Sequence, residues 1–188
     1  MRKIVYSVAM SLDGYLAGPK GEADWIVIDP EIDFTSMMER FDTLIMGRGT
    51  FEAAQAMGGG VAMPGVSTIV ISRTLRQQDH PGITIIGEDV AGELSRLKEA
   101  SGKDIWLFGG GILFRSLLDF GLVDTIEVGV IPVLLGEGIP LLPQRPQRTT
   151  LRLVSSKAYK ATGTLALEYA IEQKPARKRR PKNVKGRS

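Results

Sequence analysis

Residues 105–108 read Ile-Trp-Leu-Phe and run straight into Gly109-Gly110-Gly111, after which Ile112, Leu113, Phe114, Leu117 and Leu118 recur at helical spacing. A strand that stops at three glycines and restarts as a helix brings bare backbone and a helix N-terminus to one point, where a phosphate can sit. The same segment also serves as an ordinary tight connection. Two further segments share the design. Leu44-Ile45-Met46 leads into Gly47-Arg48-Gly49-Thr50 and a helical run, and Ile69-Val70-Ile71 leads into Ser72-Arg73-Thr74. Three apolar strands that each end in Gly, Ser, Thr or Arg describe one edge of an open α/β sheet facing an anion.

A dinucleotide fits that edge. Two arginines, Arg48 and Arg73, are more than a pyrophosphate needs, and a guanidinium suits a 2′-phosphate through paired hydrogen bonds, so the expected cofactor is NADPH rather than NADH. The alternative for either arginine is a solvated charge at a strand end.

The rest of the chain supports the same architecture. A first strand spans 3–10 and ends in a glycine-bearing loop, 11–19. Asp29-Pro30 reads as N-cap and first-turn proline of a helix reaching Arg40. Strands follow at 43–46, 68–71, 83–86, 105–108 and 124–131, with helices at 50–57, 91–100 and 112–120. Residues 132–143 read as a loop, and strands 150–159 and 164–172 form a hairpin about Thr162-Gly163. Strands alternating with short helices and closing in a hairpin predict an α/β sandwich, its sheet mostly parallel with an antiparallel end and helices on both faces.

At 188 residues the chain fits one domain, expected over 1–173. It contains no cysteine and one histidine, His80, placed in a turn-like loop, so thiol, zinc and triad chemistry lack parts and no metal is expected. No long apolar run predicts a membrane span, and the cytoplasm is the default compartment. Residues 174–188 carry eight of the 24 Lys and Arg and no acid, which leaves the body 16 basic against 21 acidic residues, a net −5. That segment reads as a disordered basic tail, either a solubility tail or a weak contact for nucleic acid.

Taken together, Ser11-Leu12-Asp13-Gly14, Trp25, Met46-Gly47-Arg48 with Thr50, Ser72-Arg73, Phe108-Gly109-Gly110-Gly111, Gly121-Leu122-Val123-Asp124 and the run 132–138 carry a family likeness. The chain resembles the dihydrofolate reductase-like superfamily, and within it the reductase domain of the riboflavin-biosynthesis deaminase/reductase (the RibD C-terminal domain) and its stand-alone relatives. The resemblance implies a three-layer dihydrofolate reductase-like fold and a homodimer. It assigns Gly47, Arg48 and Thr50 to the cofactor's phosphates, Ser72 and Arg73 to its 2′-phosphate, and Gly109, Gly110 and Gly111 to the pyrophosphate and nicotinamide-ribose side. It places the substrate by residues 132–138.

The function expected is an NADPH-dependent reductase of a small heterocyclic, pterin- or pyrimidine-like substrate. Candidate proton donors or anchors are Asp13, Glu31 and Asp33, with Asp33 expected to face inward beside Phe34 and Met37. The alternatives are an Asx turn for Asp13 and plain first-turn acids for the other two. Substrate contacts are expected from Ser11, Trp25, Phe34, Pro132, Leu134 and Gly136. The helix 31–40 is acidic and apolar, where relatives of the riboflavin type carry arginines, which argues against a phosphorylated substrate. The other readings are the riboflavin-pathway 5-amino-6-(5-phosphoribosylamino)uracil reductase, dihydrofolate reductase, and a non-enzymatic nucleotide-binding protein tethered to nucleic acid by its tail.

Overall fold

Alternation along the strands decides what packs where. In a computed structural model, which describes residues 1–56, 58 and 63–172, β1 is Ile4–Ser11, β3 is Phe41–Gly47, β4 is Ser67–Ile71 and β5 is Thr84–Ile86, with the short β2 at Tyr15–Ala17. The strands β6 (Asp104–Gly109), β7 (Thr125–Ile131), β9 (Leu151–Tyr159) and β10 (Thr164–Ile171) complete one eight-stranded sheet, ordered β5-β4-β3-β6-β1-β7-β10-β9. The six strands from β5 to β7 are mutually parallel; β10 pairs antiparallel with both β7 and β9. The expected sheet, parallel with an antiparallel hairpin at one end, is thus present.

Neighbouring residues on one strand face opposite layers. Leu44, Met46 and Val70 bury with Phe51 of α2 (Arg48–Ala56), and Trp106 packs beside them. Ile45, Ile69, Ile105 and Leu107 bury instead with Leu94 of α3 (Val90–Glu99) and with Leu113, Phe114 and Leu117 of α4 (Gly111–Asp119). Helices therefore cover both faces, giving three layers.

The N-terminal ends of the strands are pinned by buried cations. Arg2 donates to Thr43 Oγ1 at 2.7 Å and Lys103 O at 2.5 Å and pairs with Asp42. Lys98 Nζ donates to Asp124 Oδ2 at 2.6 Å and Leu122 O at 2.9 Å. These charges are occupied in holding the sheet together, so the opposite edge is the one free for a ligand.

Two local expectations are corrected. The helix expected from Asp29 to Arg40 is only α1, Phe34–Met38. Asp29 is fully buried, and its carboxylate accepts from Glu31 N at 3.0 Å and from Thr162 N and Oγ1 at 3.2 and 2.9 Å. A side chain held by the distant hairpin turn is unavailable as a cap. Asp33 caps α1 instead, accepting from Ser36 N at 3.0 Å and Ser36 Oγ at 2.6 Å; it is exposed rather than turned inward. Second, the 132–143 loop contains β8 (Ile139–Pro140), which pairs with β2 to form a separate two-stranded sheet. The basic tail and residues 59–62 of the glycine-rich loop lie outside the described residues.

Candidate functional site

The C-terminal ends of β3, β4 and β6 lie side by side because those strands are adjacent and parallel. Each ends in one of the small turns noted above, so the three meet at one edge. The β3 turn passes directly into α2, which puts Arg48, Gly49 and Thr50 in that helix's first turn, where backbone N–H groups are unpaired within the helix. The β6 turn passes through Gly110 into α4.

The glycines are needed for close approach. A Cβ on Gly110 would stand 3.3 Å from Thr50 Oγ1, and one on Gly111 would stand 2.7 Å from Pro140 O. Thr50 therefore leans on the β6 turn, and two helix N-termini open into the same space. Arg48 Nη1 donates to Thr74 Oγ1 at 3.1 Å, and Arg48 Nε lies 3.7 Å from Glu52, so the guanidinium bridges α2 and the turn after β4. Arg73 lines the same end of the cleft. Ser72 does not: it is buried, and its Oγ accepts from Thr74 N and Leu75 N at 3.2 and 3.1 Å, closing the turn that presents Arg73.

From this edge a cleft of about 1970 Å³ extends over the α1 face of the sheet, past Trp106 and Phe108 to β7, β10 and β9. A single small-molecule site occupies roughly 300–1,000 Å³, so this cleft has room for two ligands end to end. Its far half carries Phe34, Met37 and Arg40 from the α1 side and Glu127, Glu168 and Lys157 from the sheet. Arg40 holds both carboxylate oxygens of Glu127, Nη1 to Oε1 at 2.9 Å and Nη2 to Oε2 at 2.7 Å. That paired hydrogen bond pushes the guanidinium further above its already high range.

Of the residues named from sequence, Gly47, Arg48, Thr50, Arg73, Gly109, Gly110, Gly111 and Phe34 line the cleft. The three carboxylates do not. Asp13 accepts from Ser11 Oγ at 2.6 Å, Gly136 N at 2.8 Å and Leu135 N at 3.1 Å, which ties the first loop to the 132–138 loop. The Ser11 hydroxyl foremost, then the Gly136 N–H, hold its carboxyl below the usual carboxylate range. Asp33 is likewise held low by the Ser36 hydroxyl and N–H. Glu31 is exposed, 3.8 Å from Lys157 Nζ.

Ser11 is fully buried, receiving Tyr15 N at 2.9 Å, and contributes to the loop clasp rather than to the cleft wall. Trp25 Nε1 donates to Glu22 O at 3.1 Å within its own loop. Pro132, Leu134 and Gly136 are exposed outside the lining, Leu134 to 70%. The polar groups that do line the far half, Glu127, Glu168 and Lys157, escaped the sequence reading. Each sits in a recognised strand, but only the pairing of β7, β10 and β9 brings them together.

Among the described residues no group of three or more His, Asp and Glu side chains is gathered as a metal site, and no helix is long and apolar enough to cross a membrane.

Comparison with known proteins agrees with the geometry. The chain is 32% identical over 184 residues to the uncharacterised protein YyaP of Bacillus subtilis strain 168, covering 89% of this chain and 94% of that one. Among solved structures, a protein assigned to riboflavin biosynthesis from Shewanella sp. PV-4 superposes with a TM-score of 0.77 at 25% identity, covering 92% of this chain and all of that one. The dihydrofolate reductase of Enterococcus faecalis, solved with NADP(H), shares the fold at a TM-score of 0.64 and 18% identity, covering 91% of this chain and 97% of that one. The family model for the RibD C-terminal domain matches residues 2–165. With that match over most of its length, the chain belongs to the RibD C-terminal domain family.

Proposed function

We propose that the protein is an NADPH-dependent reductase that delivers hydride to a small planar heterocycle. The observation that carries the reading is the meeting of three small-residue turns, two helix N-termini and two arginines at one end of a cleft large enough for a second ligand. The E. faecalis reductase of the same fold is solved with NADP(H), which supports a nicotinamide cofactor at the corresponding edge.

The donor set fits that cofactor. Backbone N–H groups at Arg48–Thr50 and Gly110–Gly111 suit a pyrophosphate, Thr50 offers a hydroxyl, and Arg48 and Arg73 suit a 2′-phosphate. The missing side chains at Gly109–Gly111 let the β6 turn pack against Thr50 and Pro140, which holds its backbone at the cleft. NADPH, when bound, supplies the hydride. The protein positions the reacting carbon, and Trp106, Phe108 and Phe34 exclude water from the middle of the cleft. Acidic groups lining the far half are Glu127 and Glu168, so they replace Asp13, Glu31 and Asp33 as candidates for substrate contact.

The family match supports the phosphoribosylamino-uracil reductase as the competing enzymatic reading. That substrate's phosphate needs a cation in the far half, where Arg40 is committed to Glu127 and Lys157, half exposed and 3.8 Å from Glu31, is the one this reading would use. We also infer a homodimer, supported by β9, the edge strand beside β10, where Leu151, Leu153 and Val154 are 39–52% exposed and the outer edge is unpaired in the sheet. Attachment of the protein to nucleic acid through residues 174–188 is the non-enzymatic alternative; deleting them abolishes retention on DNA at moderate salt if it is correct.

Titration with NADPH and NADH, read by Trp106 emission, tests the main proposal. NADPH is expected to bind more tightly. Hydrogen bonds to charged groups contribute about 1.5–3 kcal/mol, so Arg48→Ala with Arg73→Ala should weaken NADPH by at least tenfold per arginine and leave NADH nearly unchanged. Absence of binding by either nucleotide refutes the proposal.

A further inference from the structure

Three adjacent strands present their smallest residues at one register position. Ala9 of β1 pairs with Gly129 of β7, and Gly129 pairs with Ala166 of β10. All three line the far half of the cleft. Glycine inside a strand weakens it and marks a close backbone approach, a bend or a ligand. Nothing in the fold requires it here. Gly129 is not among the glycines with positive φ, and a Cβ built on it would meet only Thr164 Cγ2, at 4.0 Å. A larger side chain would enter the cleft instead.

The next row on the same face is polar. Ser7, Glu127, Glu168 and Ser155 pair in sequence across β1, β7, β10 and β9, two residues, or about 7 Å, from the bare row. Glu127 is neutralised by Arg40. Glu168 feels the same guanidinium only through space; its Oε2 accepts from Ser155 Oγ at 3.1 Å, and its Oε1 takes no hydrogen bond among the described residues. A flat floor therefore adjoins a carboxylate with acceptor capacity to give, in the half of the cleft away from the arginines at 48 and 73.

We propose that the Ala9–Gly129–Ala166 floor seats the substrate's ring and that Glu168 selects its edge. Gly129 admits a planar ring flat against the strands, and Glu168 accepts from neighbouring ring and exocyclic N–H groups. The substrate class is thus an amino-substituted, N–H-bearing planar heterocycle without an anionic group on that edge. Gly129 and Glu168 are specificity-determining residues. The inference rests on the reductase reading of the cleft, but it is tested separately from cofactor binding.

Pterin and lumazine are suitable probes because they share one bicyclic ring and differ at a single position, where amino replaces oxo. Pterin offers a carboxylate two adjacent N–H donors; each of lumazine's two ring N–H groups stands between two acceptors, so no adjacent pair is available. Binding of each to the full chain with NADPH is measured by calorimetry. Pterin should bind at least tenfold tighter than lumazine, and Glu168→Gln should remove that preference. Gly129→Val, which suits a strand, should weaken both rings at least tenfold while its melting transition and NADPH affinity stay at the unsubstituted values; Gly129→Ala should weaken them less. Equal affinity for the two rings, binding of neither, or unchanged pterin affinity in a folded Gly129→Val overturns the proposal. Any of these with NADPH still bound leaves the cofactor assignment standing, whereas loss of NADPH binding in the unsubstituted chain defeats the reductase reading itself.

Discussion

Tyr6→Phe should make the protein more stable. Tyr6 is wholly buried, and its ring stacks on Phe114 of α4 with centroids 3.9 Å apart and planes 19° from parallel. Its hydroxyl is, among the described residues, the one buried side-chain polar atom without a hydrogen bond. An unsatisfied buried polar group costs about 1–3 kcal/mol. Removing the oxygen leaves a void the size of one atom, worth about 0.3 kcal/mol at 24 cal/mol per Å³. The ring and its stack are untouched, so the net gain is about 1 kcal/mol, or about 2–4 °C in Tm for a chain of this length.

The pH dependence makes a second, sharper reading of the same substitution. Burial pushes the Tyr6 phenol well above its ordinary value of 10. The folded state then holds this proton more tightly than the unfolded chain does. Stability from the group is complete below the unfolded value, near pH 10, and falls as pH rises towards the folded value, by up to about 1.4 kcal/mol per unit. Urea unfolding at neutral pH and at pH 10 to 11 measures both effects. Tyr6→Phe should start higher and lose less above pH 10 than the unsubstituted chain. A loss of 1 kcal/mol or more at neutral pH, with an unchanged alkaline slope, would mean that the hydroxyl is satisfied and the reasoning fails.

Other outcomes follow from the same contacts. Asp13→Asn should loosen the clasp on Leu135 and Gly136 and speed proteolysis within residues 132–138, without altering the shape of the pH–rate profile; a lost acid limb would restore Asp13 as a proton donor. Because its carboxyl is lowered in the fold, the stability it lends is present above about pH 4 and lost as pH falls through the folded value, so the difference between variant and parent should narrow in acid. Lys98→Met leaves Asp124 without its buried partner and should cost about 3–5 kcal/mol in urea unfolding while cofactor affinity per folded molecule is unchanged. Gly111→Ala drives a Cβ to 2.7 Å from Pro140 O and should cost about 1–3 kcal/mol, together with nucleotide affinity. Sedimentation should give twice the chain mass, and a charged residue at Leu153 should halve it.

The parts of this fold written in local pattern were legible before the structure. Apolar alternation found every strand of the main sheet, and glycine or Ser-Arg-Thr after an apolar run found the three turns that meet at the cleft. What depended on distant partners was not. Asp29-Pro30 has every local mark of a helix start, yet the carboxylate is captured by Thr162, 133 residues away. β2 and β8 are three and two residues long, too short to carry a period, and exist because they find each other. Ser11 and Asp13 belong to a loop clasp, which their motif shares in sequence with a ligand-binding loop. Glu127 and Glu168 each looked like one polar residue in an apolar strand, and only the register that sets them opposite one another marks them as a site.

The position of β6 also dictates an order of assembly. β1 and β3 are successive long strands, yet they never touch in the sheet; β6 lies between them and pairs with both, with Ile105 beside Ile4 from 101 residues earlier. Until residues 104–109 arrive, β1 and the β3-β4-β5 unit have no shared border, and contacts over such distances form slowly. The strand that joins the halves is the one that ends in Gly109-Gly110-Gly111. A nascent chain emerging from the ribosome therefore joins β1 to the β3-β4-β5 unit only when the last of the three turns at the cleft is made.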